Sequence, residues 1–125
     1  MIEIKQIEKK EEISALIGQF SLTAAADGIF CAMTDGGTLC GCGSLCLRGA
    51  KVYLSDVCLS EEYDCDAMRL SLARAVLNLA DLRGIKTVYA ANEKLFGLCR
   101  LLRFKEDGGE LFLSLEGYFT AHCSN

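Results

Sequence analysis

Eleven of the seventeen residues 67–83 are Leu, Ala, Val or Met, and four of the six polar side chains that interrupt them fall on a helical rhythm. Ser71, Arg74, Asn78 and Asp81 stand three, four and three residues apart, which draws one wet stripe along a helix. A helix this apolar must be buried over most of its circumference, and a sheet is the surface broad enough to bury it. The flanking residues supply that sheet. Residues 51–59 carry β-branched and aromatic side chains and no breaker, as suits a strand. Gly84 follows the helix where a left-handed cap is needed, and residues 85–91 read as a second strand. Asn92 can cap a short helix over residues 93–102, and Phe104 opens a third strand.

The remaining segments add strands and one more helix. Residues 2–7 alternate apolar and polar, as a half-buried strand does. Within residues 9–20, Ile13, Leu16, Ile17 and Phe20 have helical spacing; the stretch to Ala26 either extends that helix or starts another, and Asp27-Gly28 ends it. Residues 29–34 and 38–47 read as a hairpin about Asp35-Gly36-Gly37, and residues 104 and 110–116 as another across Lys105–Gly109. A short tail follows from residue 118 and carries the lone His122.

Composition narrows the function. A chain of 125 residues is expected to form one domain, 1–125, with a real core. A net charge of −4 without a Lys/Arg cluster argues against nucleic acid. No apolar run reaches membrane-spanning length, and the charged residues near Met1 do not suit a secretory leader. A cytoplasmic protein is the expectation. Its eight cysteines are then expected to be reduced thiols. Cys40, Cys42 and Cys46 share strand parity and so one face. Two residues on a strand span about 6.6 Å, wide for two thiolates on one zinc. Packing is the first reading of these thiols, and a metal or redox role the second. The acidic stretch Glu61, Glu62, Asp64 and Asp66 lacks the regular ligand spacing of a Ca²⁺ loop.

The order strand, loop, long helix, Gly84, strand, Asn92, short helix and Phe104 resembles the GNAT superfamily of acyl-CoA-dependent N-acetyltransferases. Cys40-Gly41-Cys42-Gly43 also sits where that family often has a glycine in its third strand. The resemblance implies an α/β (α+β) fold with a mixed, mostly antiparallel sheet flanked by helices. It implies acetyl-CoA or another acyl-CoA as cofactor and a small-molecule or peptide amine as acceptor. It also implies main-chain pairing of Val57, Cys58 and Leu59 with the pantetheine arm, a pantetheine contact for Asn92, and diphosphate binding by the loop Asp64, Cys65, Asp66, Ala67, Met68 and Arg69.

The same register shows departures. The family loop is Arg/Gln-x-x-Gly-x-Gly/Ala; here Asp64, Ala67 and Arg69 occupy its defined positions. The family's Tyr, an acid for the leaving thiolate, is Cys99, which reads first as a buried structural thiol and second as a candidate acid, and the Gly of its Gly-Phe pair is Arg103. Asp56 is the nearest carboxylate on the strand and the candidate general base. The loop reads either as a modified CoA site or as a helix start capped by Asp66. Four carboxylates there oppose a diphosphate, with Arg69 or Arg103 as counter-charges, so weak CoA binding or none is expected. The rival to an acyltransferase is a GNAT-fold binding or interaction module that has lost CoA. Strand-forming residues 111–115, followed by Tyr118 and Phe119, suggest a C-terminal edge and a homodimer formed through it.

Overall fold

The computed structural model describes residues 1–119, so His122 and Cys123 lie outside the described residues. Seven strands form one sheet in the order β1-β2-β3-β4-β5-β7-β6. They are β1 (Ile2–Ile7), β2 (Ile29–Asp35), β3 (Thr38–Arg48), β4 (Lys51–Leu59), β5 (Thr87–Ala90), β6 (Lys105–Asp107) and β7 (Glu110–Ser114). Every neighbouring pair is antiparallel except β4 with β5. That parallel step requires a crossover, and α2 (Asp66–Leu82) makes it. Helix α1 (Lys10–Phe20) covers the other face, and α3 (Phe96–Leu101) follows a 3₁₀ turn at Glu93–Leu95. The mixed, mostly antiparallel sheet expected from the resemblance is therefore present. Among the described residues, no helix is long and apolar enough to cross a membrane.

The long helix packs as its rhythm dictates. Leu72, Ala73, Val76, Leu77 and Ala80 are fully enclosed, while Ser71, Arg74, Asn78 and Asp81 face water. Contact with β3 is close because Gly43 has no side chain: a Cβ there would lie 2.5 Å from Val76 Cγ2. After the helix, Gly84 takes φ +80°, and Ile85 N–H donates to Ala80 O at 3.0 Å, which completes a left-handed cap. Helix α1 stops at Phe20 rather than running on to Ala26. Ser21 turns left-handed, and Leu22 N–H returns to Ile17 O at 3.1 Å.

Two bulges alter the expected faces. Between Met33 and Thr34 the β2–β3 register shifts, leaving Cys40 as the extra residue on β3. Parity inverts there, so Cys40 joins the core beneath α2, whereas Cys42 and Cys46 pack on the α1 side. The expectation that all three share one face is thus corrected. A second shift, between Ser44 and Leu45, leaves Ser55 as the extra residue on β4. It lets Val52, Leu54 and Val57 all face the α2 core.

The C-terminal strands also differ from expectation. β7 is interior, between β5 and β6, with Leu111 and Leu113 buried in the main core. The edge is β6, whose Lys105, Glu106 and Asp107 are all exposed. A short charged strand is how natural sheets protect an edge, so the premise of an apolar C-terminal edge does not hold.

Candidate functional site

The site begins where β4 and β5 part. Their parallel pairing covers only Val52–Val88, Tyr53–Tyr89 and Leu54–Ala90. Beyond Leu54, β4 runs on to Leu59 with no strand partner on the β5 side among the described residues, and a gap opens. Asn92 spans its apex: its Nδ2 donates to Ser55 O at 3.1 Å, while its Oδ1 accepts from Lys94 N–H at 3.1 Å. Asn92 therefore caps the turn, as its position suggested, and also ties β5 to the bulge in β4.

Strand alternation decides which backbone groups face the gap. Ser60 N–H donates to Cys40 O at 2.8 Å, so Cys42–Cys58 and Ser44–Asp56 are the hydrogen-bonded pairs of the same ladder. The N–H and C=O groups of Cys58 are thereby spent on β3. Those of Val57 and Leu59 point into the gap. Of the three residues nominated for main-chain pairing, two have the geometry for it and Cys58 does not.

On the α2 side the gap widens into a cleft of about 750 Å³. Val57, Cys58 and Leu59 form one wall, Leu95, Leu98 and Leu101 another, and Asp64, Asp66, Arg69 and Lys94 the polar end. The six nominated loop residues are the lead-in, Asp64 and Cys65, and the first turn of α2, Asp66, Ala67, Met68 and Arg69. Cys65 is extended, and no side chain caps the helix start. This corrects the expectation of an Asp66 cap: Asp66 lies inside the first turn and pairs with a cation instead. Arg69 binds both acids, Asp64 through Nη1 and Asp66 through Nη2, the latter at 2.7 Å. Hydrogen bonding to Asp66, with the field of Asp64, raises the pKa of the guanidinium. Two of the four carboxylates are thus matched within the loop. Glu61 and Glu62 remain exposed on a 3₁₀ turn (Glu61–Tyr63). That turn is anchored by Tyr63, whose hydroxyl donates to Asp35 Oδ2 at 2.8 Å. The bond raises the Tyr63 pKa and, with the terminal ammonium, lowers that of Asp35.

The two nominated catalytic residues are both enclosed. Asp56 is 3% exposed, and its carboxylate accepts four hydrogen bonds. Oδ1 takes Thr23 N–H and Thr23 Oγ1 at 2.9 Å each; Oδ2 takes Ala24 N–H at 3.0 Å and Ser44 Oγ at 2.7 Å. Cys99 is fully buried, is not on the wall of the cleft, and is pushed up to about 12 by burial. Arg103 is not on the wall of the cleft either; it lines a separate pocket with Lys105 and Tyr118.

Sequence reasoning missed a second cleft, of about 390 Å³, on the α1 side of the same gap. Thr23, Arg48, Ser55, Asn92, Glu93 and Lys94 line it. Lys94 lines both clefts, so they adjoin across its side chain; Asn92 and Ser55 line only the second. Neither the bulge at Ser55 nor the post-helical loop that brings Thr23 to Asp56 has a local signature. Lys94 could have been found from its place two residues after the capping Asn92. Among the described residues, no three His, Cys, Asp or Glu side chains converge as metal ligands would.

No family model matches the chain, and no curated protein matches it. Solved structures do. An acetyltransferase described as IAA acetyltransferase from Bacillus cereus ATCC 14579 superposes with a TM-score of 0.67 at 14% identity, over 92% of this chain and all of that one. A GNAT family acetyltransferase from Elizabethkingia anophelis, solved with acetyl-CoA bound, gives 0.62 at 12% identity over 91% and 98%. N-acetylglutamate synthase from Neisseria gonorrhoeae, complexed with coenzyme A and L-arginine, gives 0.71 at 16% identity over 91% of this chain and 33% of that one. The fold of this chain is that of the GNAT acetyltransferases.

Proposed function

We propose that this chain binds an acyl-CoA in the cleft on the α2 side and transfers the acyl group to an amine entering through the cleft on the α1 side. The observation that carries the reading is the pair of clefts on either side of the β4–β5 gap, with Lys94 on the wall of both. One side offers unpaired main-chain groups of Val57 and Leu59 and an uncapped helix start; the other offers a separate entrance. An acyl-CoA supplies a thioester and an anionic diphosphate. The Val57 and Leu59 peptides suit the amides of a pantetheine arm, and Leu95, Leu98 and Leu101 exclude water beside it. The first-turn N–H groups of α2, with Arg69, suit the diphosphate. A β4 N–H facing the gap stabilises the oxygen on which charge develops as the amine attacks.

The proton-handling groups are not those nominated from the sequence. Asp56 has no free acceptor site for an amine proton, so that proton passes to water. The enclosed Cys99 thiol does not reach the leaving group. The leaving thiolate then takes its proton from water. Such a centre works slowly, because it has no dedicated base.

A second reading has its own observation. Arg69 is already held by Asp64 and Asp66, and a diphosphate must compete with both carboxylates. A chain in that state fits a binding or interaction module of GNAT fold that does not use CoA. Isothermal titration with acetyl-CoA and with acetyl-pantetheine, which lacks the diphosphate, separates the two. Weak acetyl-CoA binding is expected in the unmodified protein. The double substitution Asp64→Ala, Asp66→Ala should tighten acetyl-CoA by roughly tenfold and leave acetyl-pantetheine unchanged. Absence of binding by both ligands to both proteins would overturn the acyltransferase reading in favour of the module.

A further inference from the structure

The cleft on the α1 side has a charge pattern that restricts what can enter it. The ion pairs among the described residues join Met1 to Asp35, Lys5 to Glu3, Lys51 to Glu110, Arg69 to Asp64 and Asp66, and Arg100 to Glu106. Arg48 and Lys94 take part in none of them, yet both line this cleft. Arg48 is also held in place: its guanidinium carbon lies 5.5 Å from the centroid of the Tyr53 ring. Such stacking reduces the freedom of a long side chain before any ligand arrives. Two unpaired cations at one entrance are notable in a chain of net charge −4.

The other polar groups complete the pattern. Behind Thr23 and Ser55 lies the buried Asp56 carboxylate, whose field favours the amine end of a ligand over an anionic end near the apex. Glu93, also on the wall, disfavours a ligand with several negative charges. The volume of about 390 Å³ suits a small molecule. The geometry points to an acceptor that is a small amine carrying one carboxylate, its amine directed to the Ser55–Asn92 apex and its carboxylate held by Arg48 and Lys94. A planar guanidinium meets a carboxylate through two parallel hydrogen bonds, and the ammonium adds a second, less directional contact. Calling this ligand the acceptor rests on the acyl transfer proposed above; the binding itself does not.

The test uses the ¹⁵N-labelled full chain and follows amide shifts, which detect millimolar binding. N-acetyl-L-alanine is titrated against N-acetyl-L-alanine amide, which differs in lacking the carboxylate, with no CoA present. The acid should move the amides of Thr23, Ser55 and Lys94 at a concentration at least about tenfold lower than the amide does. Arg48→Gln should erase that preference. Arg48 is exposed and lies outside the α2-side cleft, so the variant should fold and titrate with acetyl-CoA as the parent does. Equal binding of the two ligands, a preference that survives Arg48→Gln, or no shift at these amides in the millimolar range would each overturn the assignment. Binding of the acid by a protein that takes no acetyl-CoA would uphold the carboxylate site and sink the acyl transfer.

Discussion

Replacing Asp56 tests whether this carboxylate is an anchor or a base. It accepts four hydrogen bonds, at 2.7 to 3.0 Å, from the loop after α1 and from β3. In Asp56→Ala the Thr23 hydroxyl can turn to Ser55, whose O and Oγ lie at 3.3 and 3.2 Å. The buried Ala24 N–H and Ser44 hydroxyl lose their acceptor, whereas the N–H of the exposed Thr23 can turn to water. An unsatisfied buried donor costs about 1–3 kcal/mol, and relief of the buried charge offsets part of the sum, so a net loss of about 3–4 kcal/mol is expected. Asp56→Asn keeps the shape and one acceptor oxygen but turns an NH₂ toward a donor, for about half that loss. With a urea m-value of about 1.5 kcal/mol/M, the unfolding midpoint should fall by about 2 M for Ala and about 1 M for Asn. Hydrogen exchange at Thr23 and Ala24 should rise in both variants. A base would behave otherwise: Asp56→Asn would lose turnover while its midpoint stayed within 0.3 M of the parent, a margin of roughly 0.5 kcal/mol. That outcome would refute the anchor.

Two further substitutions or titrations probe the scaffold. Arg103 has φ +73° in the same cap that Gly84 forms after α2: Phe104 N–H reaches back to Cys99 O at 3.0 Å. Relief of the left-handed strain, less the added freedom of the unfolded chain, should make Arg103→Gly more stable by about 0.5–1 kcal/mol, read as a Tm rise of about 2–4 °C; a fall in Tm would count against the cap. Burial pushes Cys31 up to about 11 and Cys42 and Cys99 up to about 12. The unfolded chain loses these protons first, so stability should be flat in this respect below pH ~9 and fall above it by up to about 1.4 kcal/mol per pH unit for each thiol. The fall should continue until the folded thiols themselves ionise; urea midpoints that do not drop between pH 9 and 11, the span set by the reference and lowest folded values, would show the thiols are not shielded.

Much of the fold was legible because it follows local rules. The stripe Ser71, Arg74, Asn78 and Asp81 fixed which side of α2 is wet, and Gly84 marked its end by a backbone angle that other residues resist. The hairpin at Gly36-Gly37 was visible for the same reason, with φ +57° and +89°. What escaped notice depends on distant partners. A bulge is a mismatch between two strands, so neither the inversion at Cys40 nor the extra residue Ser55 is written in one strand alone. The place of β7 inside the sheet depends on β6 folding back over it, which turns residues 111–115 from a suspected edge into core.

The candidate site was legible in outline for a related reason. Asn92 was recognisable because capping is local, and the cap then positions Nδ2 against Ser55 O across the gap. The acidic loop was visible as composition, but composition does not reveal pairing. Four carboxylates in a row suggest repulsion of any anion. Asp64 and Asp66 closed on Arg69 present instead a loop whose guanidinium is spoken for and whose helix donors are open. The obstacle to a diphosphate is then competition for one side chain, not a repulsive surface. Competition can be relieved by removing the competitors without supplying any new cation. That is why the Asp64→Ala, Asp66→Ala protein, with Arg69 retained, is the more discriminating variant than one in which the loop is rebuilt with glycines and an added arginine.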